Sequence, residues 1–455
     1  MAKTTRAPGY RCTECGWTAV KWVGRCGECQ AWGSVTEVGA TVTRTTTAAP
    51  VTRPAVPIGE VDATYATPRA TGVGEFDRVL GGGLTPGAVV LVTGEPGIGK
   101  STLLLDVAAR HARTHERPVL YVSGEESASQ VRARAERIEA MARTLYLASE
   151  TDLATVLGQI DAVVPDLLVI DSVQTIASTE VEGQAGNVTQ VREVAAALIH
   201  AAKSRGIAIL LVGHVTKDGS IAGPRTLEHL VDVVIGFEGD RHSRLRLVRA
   251  VKNRYVPTDE VGCFDLSDVG IVGLEDPSGL FLTHRSEPVA GTCVTVTLEG
   301  RRPLVTEVQA LVAPSAIPTP RRATSGLDSA RVNMAIAVLS RRGRVPLGAQ
   351  DVYVSTVGGV RITEPAADLA LVLAIASAHT DRVLPDRTVA FGEVGLAGEI
   401  RPVTGPHRRL AEAARLGFRR AIVPVGVLGA GPVPDGILVR EVADLSQAVE
   451  LLPTG

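Results

Sequence analysis

The 455-residue chain has no long apolar run and almost no net charge. No stretch approaches the roughly eighteen apolar residues of a membrane-spanning helix, and the opening MAKTTRAPGY lacks the apolar core of a signal peptide. A formal net charge of -2 excludes a globally basic nucleic-acid coat, so any such contact needs a local patch. We therefore expect a cytoplasmic protein without a membrane partner.

Cysteine is also sparse, and its six copies are unevenly spread. Four of them form two Cys-x-x-Cys pairs, Cys12 with Cys15 and Cys26 with Cys29. In a reducing compartment this spacing indicates a four-thiolate zinc site rather than disulfides, and the absence of a βαβ context disfavours a redox motif. So small a unit has almost no core, and zinc must supply most of its folding free energy. A partner or DNA contact is expected through Trp17, Lys21, Trp22, Arg25 and Trp32.

The pattern of strands and helices changes along the chain. Residues 1–35 hold the zinc motif, and residues 36–60, rich in Thr, Ala, Pro and Val without an apolar face, predict a flexible linker. Over 61–285 short apolar strands alternate with amphipathic helices, which predicts an α/β domain on a mostly parallel, covered sheet. Over 286–455 strand pairs and helices follow in another order, which predicts a separate α+β domain.

A glycine-rich loop, GEPGIGKS, follows the apolar strand VVLVT and precedes the helical run STLLLDVAARHA. It matches the G-x-x-x-x-G-K-[ST] pattern, whose backbone N–H groups hold phosphates at a helix N-terminus. Because strand and helix are both present, an empty glycine-rich turn is the weaker interpretation. Lys100 is expected to act catalytically on the β- and γ-phosphates, and Ser101 to hold Mg²⁺. The residues expected to bind ATP are Gly94, Glu95, Pro96, Gly97, Ile98, Gly99, Lys100, Ser101 and Thr102.

Two further carboxylates are candidates for the same site. The strand LLVID ends in Asp171, a pattern typical of an acid delivered to the Mg²⁺ coordination sphere. The strand PVLYVSG, which we expect next to the phosphate-loop strand, precedes Glu125 and Glu126, and we favour Glu125 as the catalytic base that activates water. Alternatively, both glutamates cap the next helix, and the sequence does not decide which of them is the base.

These motifs, a Lys-Asn-Arg segment at Lys252 and the late α+β domain resemble the RadA (Sms) family of bacterial DNA-repair proteins over nearly the whole chain. The resemblance implies a RecA-like P-loop ATPase core with a small zinc ribbon before it and a Lon-protease-like domain after it. It implies ATP, Mg²⁺ and Zn²⁺ as cofactors. It further implies a DNA-dependent ATPase that processes recombination intermediates and promotes branch migration. The implied partners are single-stranded and branched DNA and the recombinase RecA, and the implied assembly is a homo-hexameric ring.

The family motif Lys-Asn-Arg-Phe-Gly has its counterpart at Lys252 to Val256. In related RecA-like hexamers a Lys-x-Arg pair reaches the neighbouring subunit's nucleotide, so the resemblance makes Lys252 and Arg254 catalytic candidates acting in trans. Two residues apart on a strand, both would point the same way. A solvated basic strand edge is the alternative. Val256 stands where the family has glycine, so a turn with positive φ would be costly there.

Two polar loops of the α/β domain are candidates for DNA contact. One, QTIASTEVEGQAGNVTQ, follows the strand of Asp171, and the other follows IAILLVGH and offers Lys217 and Arg225. The resemblance implies that such loops line the ring's centre, with His214 as a γ-phosphate sensor. Because neither loop has aromatic residues for base stacking, we expect backbone contacts with strong salt dependence. Ligand-free polar loops are the alternative. Nearby basic residues are Arg241, Arg244, Arg246 and Arg249, with Arg244 and Arg246 the DNA-binding candidates.

The α+β domain departs from proteolytic Lon at both catalytic positions. Ala366 stands at the serine position and His407 near the lysine position. A Ser–Lys dyad needs an oxygen nucleophile and a base of lowered pKa, and neither is supplied. We expect a proteolytically inactive scaffold for ring assembly and duplex contact, with Cys263 and Cys293 as buried packing residues. Arginines that could serve this contact, or form a solvated face, are Arg321, Arg322, Arg341, Arg342 and Arg344.

Three functions compete on this reading of the sequence. We favour a DNA-stimulated ATPase in recombinational repair. A RecA-like nucleotide switch that binds protein partners is disfavoured by the zinc motif and by the Lon-like domain. An ATP-dependent peptidase is contradicted by Ala366 and His407.

Overall fold

The computed structural model describes residues 9–37, 54–61, 67–214, 227–239, 244–267, 269–277, 281–282, 289–429 and 431–453. The chain divides into two compact units, Met1–Asp62 and Ala63–Gly455. Among the helices of these residues, none combines the length and the apolar character that crossing a bilayer requires.

The first unit contains a small three-stranded antiparallel sheet. Its strands are β1 (Tyr10–Cys12), β2 (Thr18–Ala19) and β3 (Val35–Glu37), in the order β2-β1-β3. Over residues 9–37 its hydrophobic cluster is small, with Cys12, Cys26 and Val35 buried and Tyr10, Trp17 and Val23 partly buried against them, as expected for a unit that depends on metal. Strand β3 continues two residues past the predicted boundary at 35.

A nine-stranded sheet organises the first part of the second unit. Six strands, β6-β5-β7-β8-β4-β9, run parallel, and β10, β11 and β12 extend the sheet antiparallel in the order β12-β11-β10-β9. The predicted parallel, covered sheet is therefore confirmed, with an antiparallel extension. The strands are β4 (Val89–Gly94), β5 (Val119–Ser123), β6 (Leu145–Ser149), β7 (Leu167–Asp171), β8 (Ala208–His214), β9 (Val233–Glu238), β10 (Leu245–Asn253), β11 (Val261–Ser267) and β12 (Gly270–Gly273).

Helices cover both faces of this sheet. One face packs under α1, α2 and α3, and the other under α4 and α5, so that β4, β5 and β7 are buried along their whole length. Continuous apolar strands of this kind are what two covered faces require. The helices are α1 (Gly74–Leu80), α2 (Lys100–His115), α3 (Ala128–Arg137), α4 (Leu153–Val163) and α5 (Val188–Arg205).

The strand order corrects one expectation. Strand β5, which precedes Glu125, does not neighbour the phosphate-loop strand β4, because β8 and β7 lie between them. Instead β5 pairs with β7, and Ser123 lies opposite Asp171. Since the carboxyl ends of β4, β5, β7 and β8 meet at one edge of the sheet, Glu125 still reaches the site, from the side of Asp171.

A seven-stranded mixed sheet, in the order β15-β16-β14-β13-β17-β20-β21, organises the C-terminal part as the predicted α+β fold. Helix α7 (Asp368–Thr380) is its centre and is buried over ten successive residues. The strands are β13 (Thr292–Glu299), β14 (Arg302–Pro314), β15 (Arg322–Ser325), β16 (Gln350–Thr356), β17 (Thr388–Ala390), β20 (Arg420–Pro424) and β21 (Leu438–Val442), with the hairpin β18 (Glu393–Val394) and β19 (Ile400–Arg401). The other helices are α6 (Ser329–Arg341), α8 (Pro406–Arg415) and α9 (Leu445–Glu450).

A buried ion pair between Glu75 on α1 and Arg302 on β14 ties the two sheets together. Glu75 also accepts a hydrogen bond from the Cys263 N–H (2.8 Å), and Arg302 Nη2 donates to the carbonyls of Leu274 and Glu275 (both 2.8 Å). Because these charges are out of solvent, the pair is costly to separate. The predicted boundary at residue 286 lies outside the described residues.

Candidate functional site

The glycine-rich loop connects the end of β4 to the start of α2. Gly97 and Gly99 take positive φ values of 77° and 110°, which residues with a Cβ rarely adopt. A Cβ at Gly99 would lie 2.4 Å from Ile271 Cδ1, so β12 packs directly against the loop. The loop therefore has the backbone shape that presents N–H groups to phosphates at a helix N-terminus.

Lys100 is the cation of this loop. Its side chain is buried, and Nζ donates to the carbonyl oxygens of Gly94 (2.7 Å) and Glu95 (2.9 Å). Burial lowers its pKa to about 8, although the negative charges of Asp171 and Glu125 oppose this shift. An ammonium enclosed by carbonyls at a helix N-terminus fits a polyphosphate, whose oxygens are stronger acceptors than the carbonyls.

Asp171 ends β7, and a tyrosine holds it in place. Tyr121 on the neighbouring strand β5 is fully buried, and its hydroxyl donates to Asp171 Oδ2 at 2.6 Å. Burial and the Asp171 charge raise the pKa of Tyr121, so the phenol stays a donor. Asp171 Oδ1 accepts no hydrogen bond from any residue described, which leaves it for the metal's coordination sphere.

Glu125 and Glu126 have different environments. Glu125 Oε1 accepts from Ser172 Oγ (2.7 Å) and lies 3.0 Å from His214 Nε2, so Glu125 faces the ends of β7 and β8. The carboxylate of Glu126 instead pairs with Arg134 of α3. The helix that follows is capped by Ser127, not by either glutamate. The contacts therefore support Glu125, rather than Glu126, as the candidate base.

Lys252 and Arg254 lie far from their own phosphate loop. Lys252 pairs with Val234 and so stands near the amino end of β4, whereas the loop follows its carboxyl end. Lys252 Nζ donates to the carbonyls of Glu228 (2.6 Å) and Val231 (2.8 Å), and Arg254, just past the strand, pairs with Asp232 at 3.1 Å. In their own subunit both side chains thus bind residues 228–232 rather than the phosphate loop, and their action in trans stays a prediction.

The turn after Lys252 does not need the glycine that Val256 replaces. The side-chain oxygen of Asn253 accepts from the N–H groups of Tyr255 (2.9 Å) and Val256 (3.3 Å), which closes the turn locally. Val256 is not among the residues with positive φ, and its side chain packs against Gly81.

The predicted basic run on β10 serves different purposes, and one prediction requires correction. Arg246 is buried, and its Nε donates to the Ile98 carbonyl of the phosphate loop at 3.2 Å, so it is not a surface contact for DNA. The reason is strand alternation, which puts Arg246 on the inner face with Val248. Arg244 is exposed and pairs with Asp265 at 3.0 Å, and Arg249 pairs with Glu238 and Glu299. Lys217, Arg225 and Arg241 lie outside the described residues.

The four N-terminal cysteines converge. Their sulfur atoms all lie within 4.8 Å of one another, with Cys12 Sγ 3.7 Å from Cys29 Sγ and Cys15 Sγ 3.5 Å from Cys26 Sγ. Contacts with Ser34 and nearby backbone groups lower the pKa of Cys12 to about 6, so a thiolate is available near neutral pH. A closed set of four thiols at this separation fits a tetrahedral zinc ion.

Known proteins match the chain at these same features. A family model described as an AAA domain matches residues 75–220, and one described as a rubredoxin metal binding domain matches residues 10–37. The DNA repair protein RadA of Mycolicibacterium smegmatis is 55% identical over 99% of this chain and 98% of its own length. The DNA repair protein RadA of Mycobacterium tuberculosis is 54% identical over 97% of this chain and 92% of its own length. The RadA of Halalkalibacterium halodurans is 44% identical over 97% of this chain and 98% of its own length.

This chain belongs to the RadA family of DNA repair proteins. Among solved structures, the KaiC-like protein PH0186 of Pyrococcus horikoshii matches 46% of this chain and 99% of its own, at 22% identity and a TM-score of 0.38, which is too low to add to the family assignment. The RadA assignment confirms an ATPase with a RecA-like P-loop core and a zinc ribbon. ATP, Mg²⁺ and Zn²⁺ are its cofactors.

The C-terminal part of this RadA chain has no serine where a Lon dyad would need one. Ala366 is fully buried. Glu364, two residues before it, pairs with the buried Arg409, two residues after His407 (Nη1 to Oε2, 3.0 Å). The two segments that would carry a dyad are thus joined by an ion pair.

Cys263 and Cys293 are buried as expected, and burial raises the pKa of Cys263 to about 11. Of the predicted arginines, Arg322 is half-buried and donates to the Leu347 carbonyl, whereas Arg321, Arg341, Arg342 and Arg344 are exposed.

Two residues that contact the candidate site, Tyr121 and Ser172, are not among those predicted from the sequence. A lone tyrosine in an otherwise aliphatic buried strand was a usable signal, because a buried hydroxyl needs a partner. Ser172 directly follows Asp171, and only the pairing of β5 with β7 shows that it meets Glu125.

Proposed function

We propose that this RadA-family ATPase is DNA-dependent, processes recombination intermediates and promotes branch migration in homologous recombination. Its working form in the cytoplasm is a hexameric ring that acts with the recombinase RecA on single-stranded and branched DNA. The observation that carries the proposal is the environment of Glu125, which contacts both Ser172 and His214.

Each of these two contacts marks the start of a candidate DNA loop. Ser172 opens the segment between β7 and α5, and His214 is the last residue of β8, directly before residues 215–226. A change in either loop on binding DNA would reorient the group that holds Glu125. This coupling supports stimulation by DNA, because a misoriented base cannot deprotonate water. His214 in this position also suits the proposed γ-phosphate sensor.

Within one subunit, each side chain has a defined task. Lys100 and the loop N–H groups bind the phosphates, and Ser101 and Asp171 hold Mg²⁺, with Tyr121 fixing the orientation of Asp171. Bound Mg²⁺ neutralises charge on the phosphate oxygens. Glu125 takes the proton of the water that attacks the γ-phosphorus, and ADP leaves with the electrons of the broken P–O bond. Glu125 then releases this proton to solvent and regains its contacts with Ser172 and His214.

Lys252 and Arg254 would complete the site of the neighbouring subunit. Both now bind groups of residues 228–232, which their own subunit supplies, and Arg254 is more than half exposed. Transfer to a neighbour's phosphates replaces carbonyl acceptors with charged ones, which favours the exchange. Hydrolysis would therefore require assembly of the ring.

DNA contact would be mainly electrostatic. The loop between β7 and α5 has no aromatic side chain, so phosphate contacts must dominate and binding should weaken steeply with salt. Arg244, together with Lys217 and Arg225, is the candidate cation set on the ATPase core. In the zinc unit, Trp22 and Trp32 are exposed and offer the stacking surfaces that the loops lack.

The test is the ATPase rate at low salt without DNA, with single-stranded DNA and with a branched junction. Stimulation by DNA that is lost at high salt supports the proposal. Lys100→Ala removes the lysine that binds the phosphates and supplies the inactive control. A rate unaffected by DNA but changed by a protein partner would favour the nucleotide switch. A casein assay in parallel tests the proposed absence of peptidase activity.

A further inference from the structure

The peptide bond between Ile98 and Gly99 is held from outside the phosphate loop. Its carbonyl oxygen accepts a hydrogen bond from Arg246 Nε at 3.2 Å, and Arg246 is 4% exposed. Arg246 lies on β10, which is separated from the phosphate-loop strand β4 by β9, and its charge is taken out of water where it meets the loop. The guanidinium thus contacts the loop that binds the nucleotide phosphates.

The planarity of the peptide links this contact to the phosphate site. In a trans peptide the C=O and N–H bonds point in opposite directions. If Arg246 fixes the Ile98 carbonyl on the outer side of the loop, the Gly99 N–H must point to the inner side, where phosphates bind. One hydrogen bond at the carbonyl thus sets the direction of a donor on the other side of the peptide plane.

Two further contacts restrict the same region. Ile271 of β12 packs against Gly99 so closely that a Cβ there would lie 2.4 Å from its Cδ1. On the other side, the Arg246 stem passes over Gly239, where a Cβ would lie 2.5 Å from Arg246 Cδ. Arg246 Nη1 also donates to its own strand's Leu245 carbonyl at 2.9 Å, which fixes the guanidinium plane.

We propose that Arg246 is a positioning residue for nucleotide binding, which orients the Gly99 N–H toward the β-phosphate by anchoring the Ile98 carbonyl. It does not touch the nucleotide itself. Arg246 would act on nucleotide binding, which the family assignment already supports, whether or not DNA drives turnover.

The test uses the full chain without DNA. It compares the affinities of Arg246→Met and of the native protein for ADP and AMP, each measured by displacement of a fluorescent nucleotide. Met keeps a stem of similar length but cannot donate. We expect affinity for ADP to fall about ten- to a hundredfold, the range of one lost charge-assisted hydrogen bond. Affinity for AMP, which lacks the β-phosphate, should change less than about threefold on the same reasoning.

Several controls keep the outcome decisive. Arg249→Met removes an ion-paired arginine from the same strand without touching the loop, and its ADP affinity should stay native. If Arg246→Met fails to fold, Gly239→Ala displaces the arginine stem by a single methyl group and should give a smaller loss in the same direction. Native ADP affinity in the Met variant, or equal losses for ADP and AMP, would overturn the proposal.

Discussion

At the scale of single residues, Lys100 shows how a site can be shaped before its ligand arrives. Burial has lowered its pKa to about 8, and nucleotide phosphates would raise it again by favouring the charged form. The loop therefore contains a cation whose charge depends on pH until the ligand binds.

This predicts a pH dependence of nucleotide affinity with a definite sign. Below about pH 8 the lysine is already charged, so binding takes up no proton. Above that value each binding event must take up a proton, and affinity for ADP should fall up to about tenfold per pH unit. Calorimetry in buffers of different ionisation enthalpy should show proton uptake rising from near zero toward one. An affinity that stays flat across this range would contradict the prediction.

Tyr121 provides a second prediction at this scale. Tyr121→Phe removes the 2.6 Å hydrogen bond to Asp171 while preserving the packing of the ring. Because Asp171 is then free to rotate away from the metal, we expect kcat to fall about tenfold, with KM for ATP within about threefold of native. Tyr146→Phe, an exposed tyrosine on the adjacent strand β6, is the control and should leave steady-state ATPase kinetics unchanged.

At the scale of elements, strands were easier to recognise than their order. Apolar runs identified β4, β5, β7 and β8, since each lies in a sheet covered on both faces. The order, with β7 and β8 between β4 and β5, is set by helix packing and crossover connections, which leave no local mark in the sequence. This is why the strand before Glu125 was placed beside the wrong neighbour, while the role of Glu125 as the base stays a prediction.

Strand β10 gives a similar lesson for arginines. Arg244 and Arg246 were selected together as DNA-binding candidates because they belong to a run of basic residues near the candidate DNA loops. Alternation puts Arg246 on the core face with Val248 and Ala250, and Leu245 and Leu247 on the face that the C-terminal domain covers. The alternation was visible in the sequence, but the burial of both faces was not.

The zinc ribbon should depend on its metal as an element. Among the residues described in this unit, its apolar cluster consists of buried Cys12, Cys26 and Val35 with partly buried Tyr10, Trp17 and Val23 against them, which is little apolar surface to hold a fold. Cys12→Ser should release zinc and expose Arg11, Lys21 and Arg25 to rapid trypsin cleavage. ADP binding at the phosphate loop should remain native. Slow cleavage of a zinc-free variant would show that the ribbon folds without metal.

At the scale of the whole molecule, the Glu75–Arg302 pair joins the ATPase core to the C-terminal domain. Arg302→Met removes the buried cation and leaves Glu75 with Arg78 alone, a partly exposed arginine 3.4 Å away, so it should lower the free energy of unfolding by up to about 3–5 kcal/mol. Thermal unfolding measures this. Arg301→Met is the matched control: that arginine is half exposed, lies 3.5 Å from Asp259, and should contribute less than about 1 kcal/mol. Equal effects of the two variants would contradict the prediction.

The proposed ring makes a prediction that no isolated subunit can satisfy. Lys252→Ala should keep ADP affinity and lose ATPase activity, and Lys100→Ala should lose both. In mixed rings, a Lys100→Ala subunit still has Lys252, and a Lys252→Ala subunit still has an intact phosphate loop. Where the first supplies Lys252 to the second, the shared site is complete. Mixing the two inactive variants should therefore restore part of the ATPase rate. No recovery, although mixed rings form, would remove the role of Lys252 in trans.

The sequence by itself determined the phosphate loop, the zinc ligands and the sheet-forming strands, because each depends on a local pattern: glycine and lysine spacing, paired cysteines and apolar runs. Tertiary structure decided which residues meet. It paired Tyr121 with Asp171, gave Glu125 two partners and left Glu126 to Arg134, and moved Arg246 from an expected surface to the back of the phosphate loop. Those contacts join residues far apart in the chain, and their energies depend on burial that only packing creates.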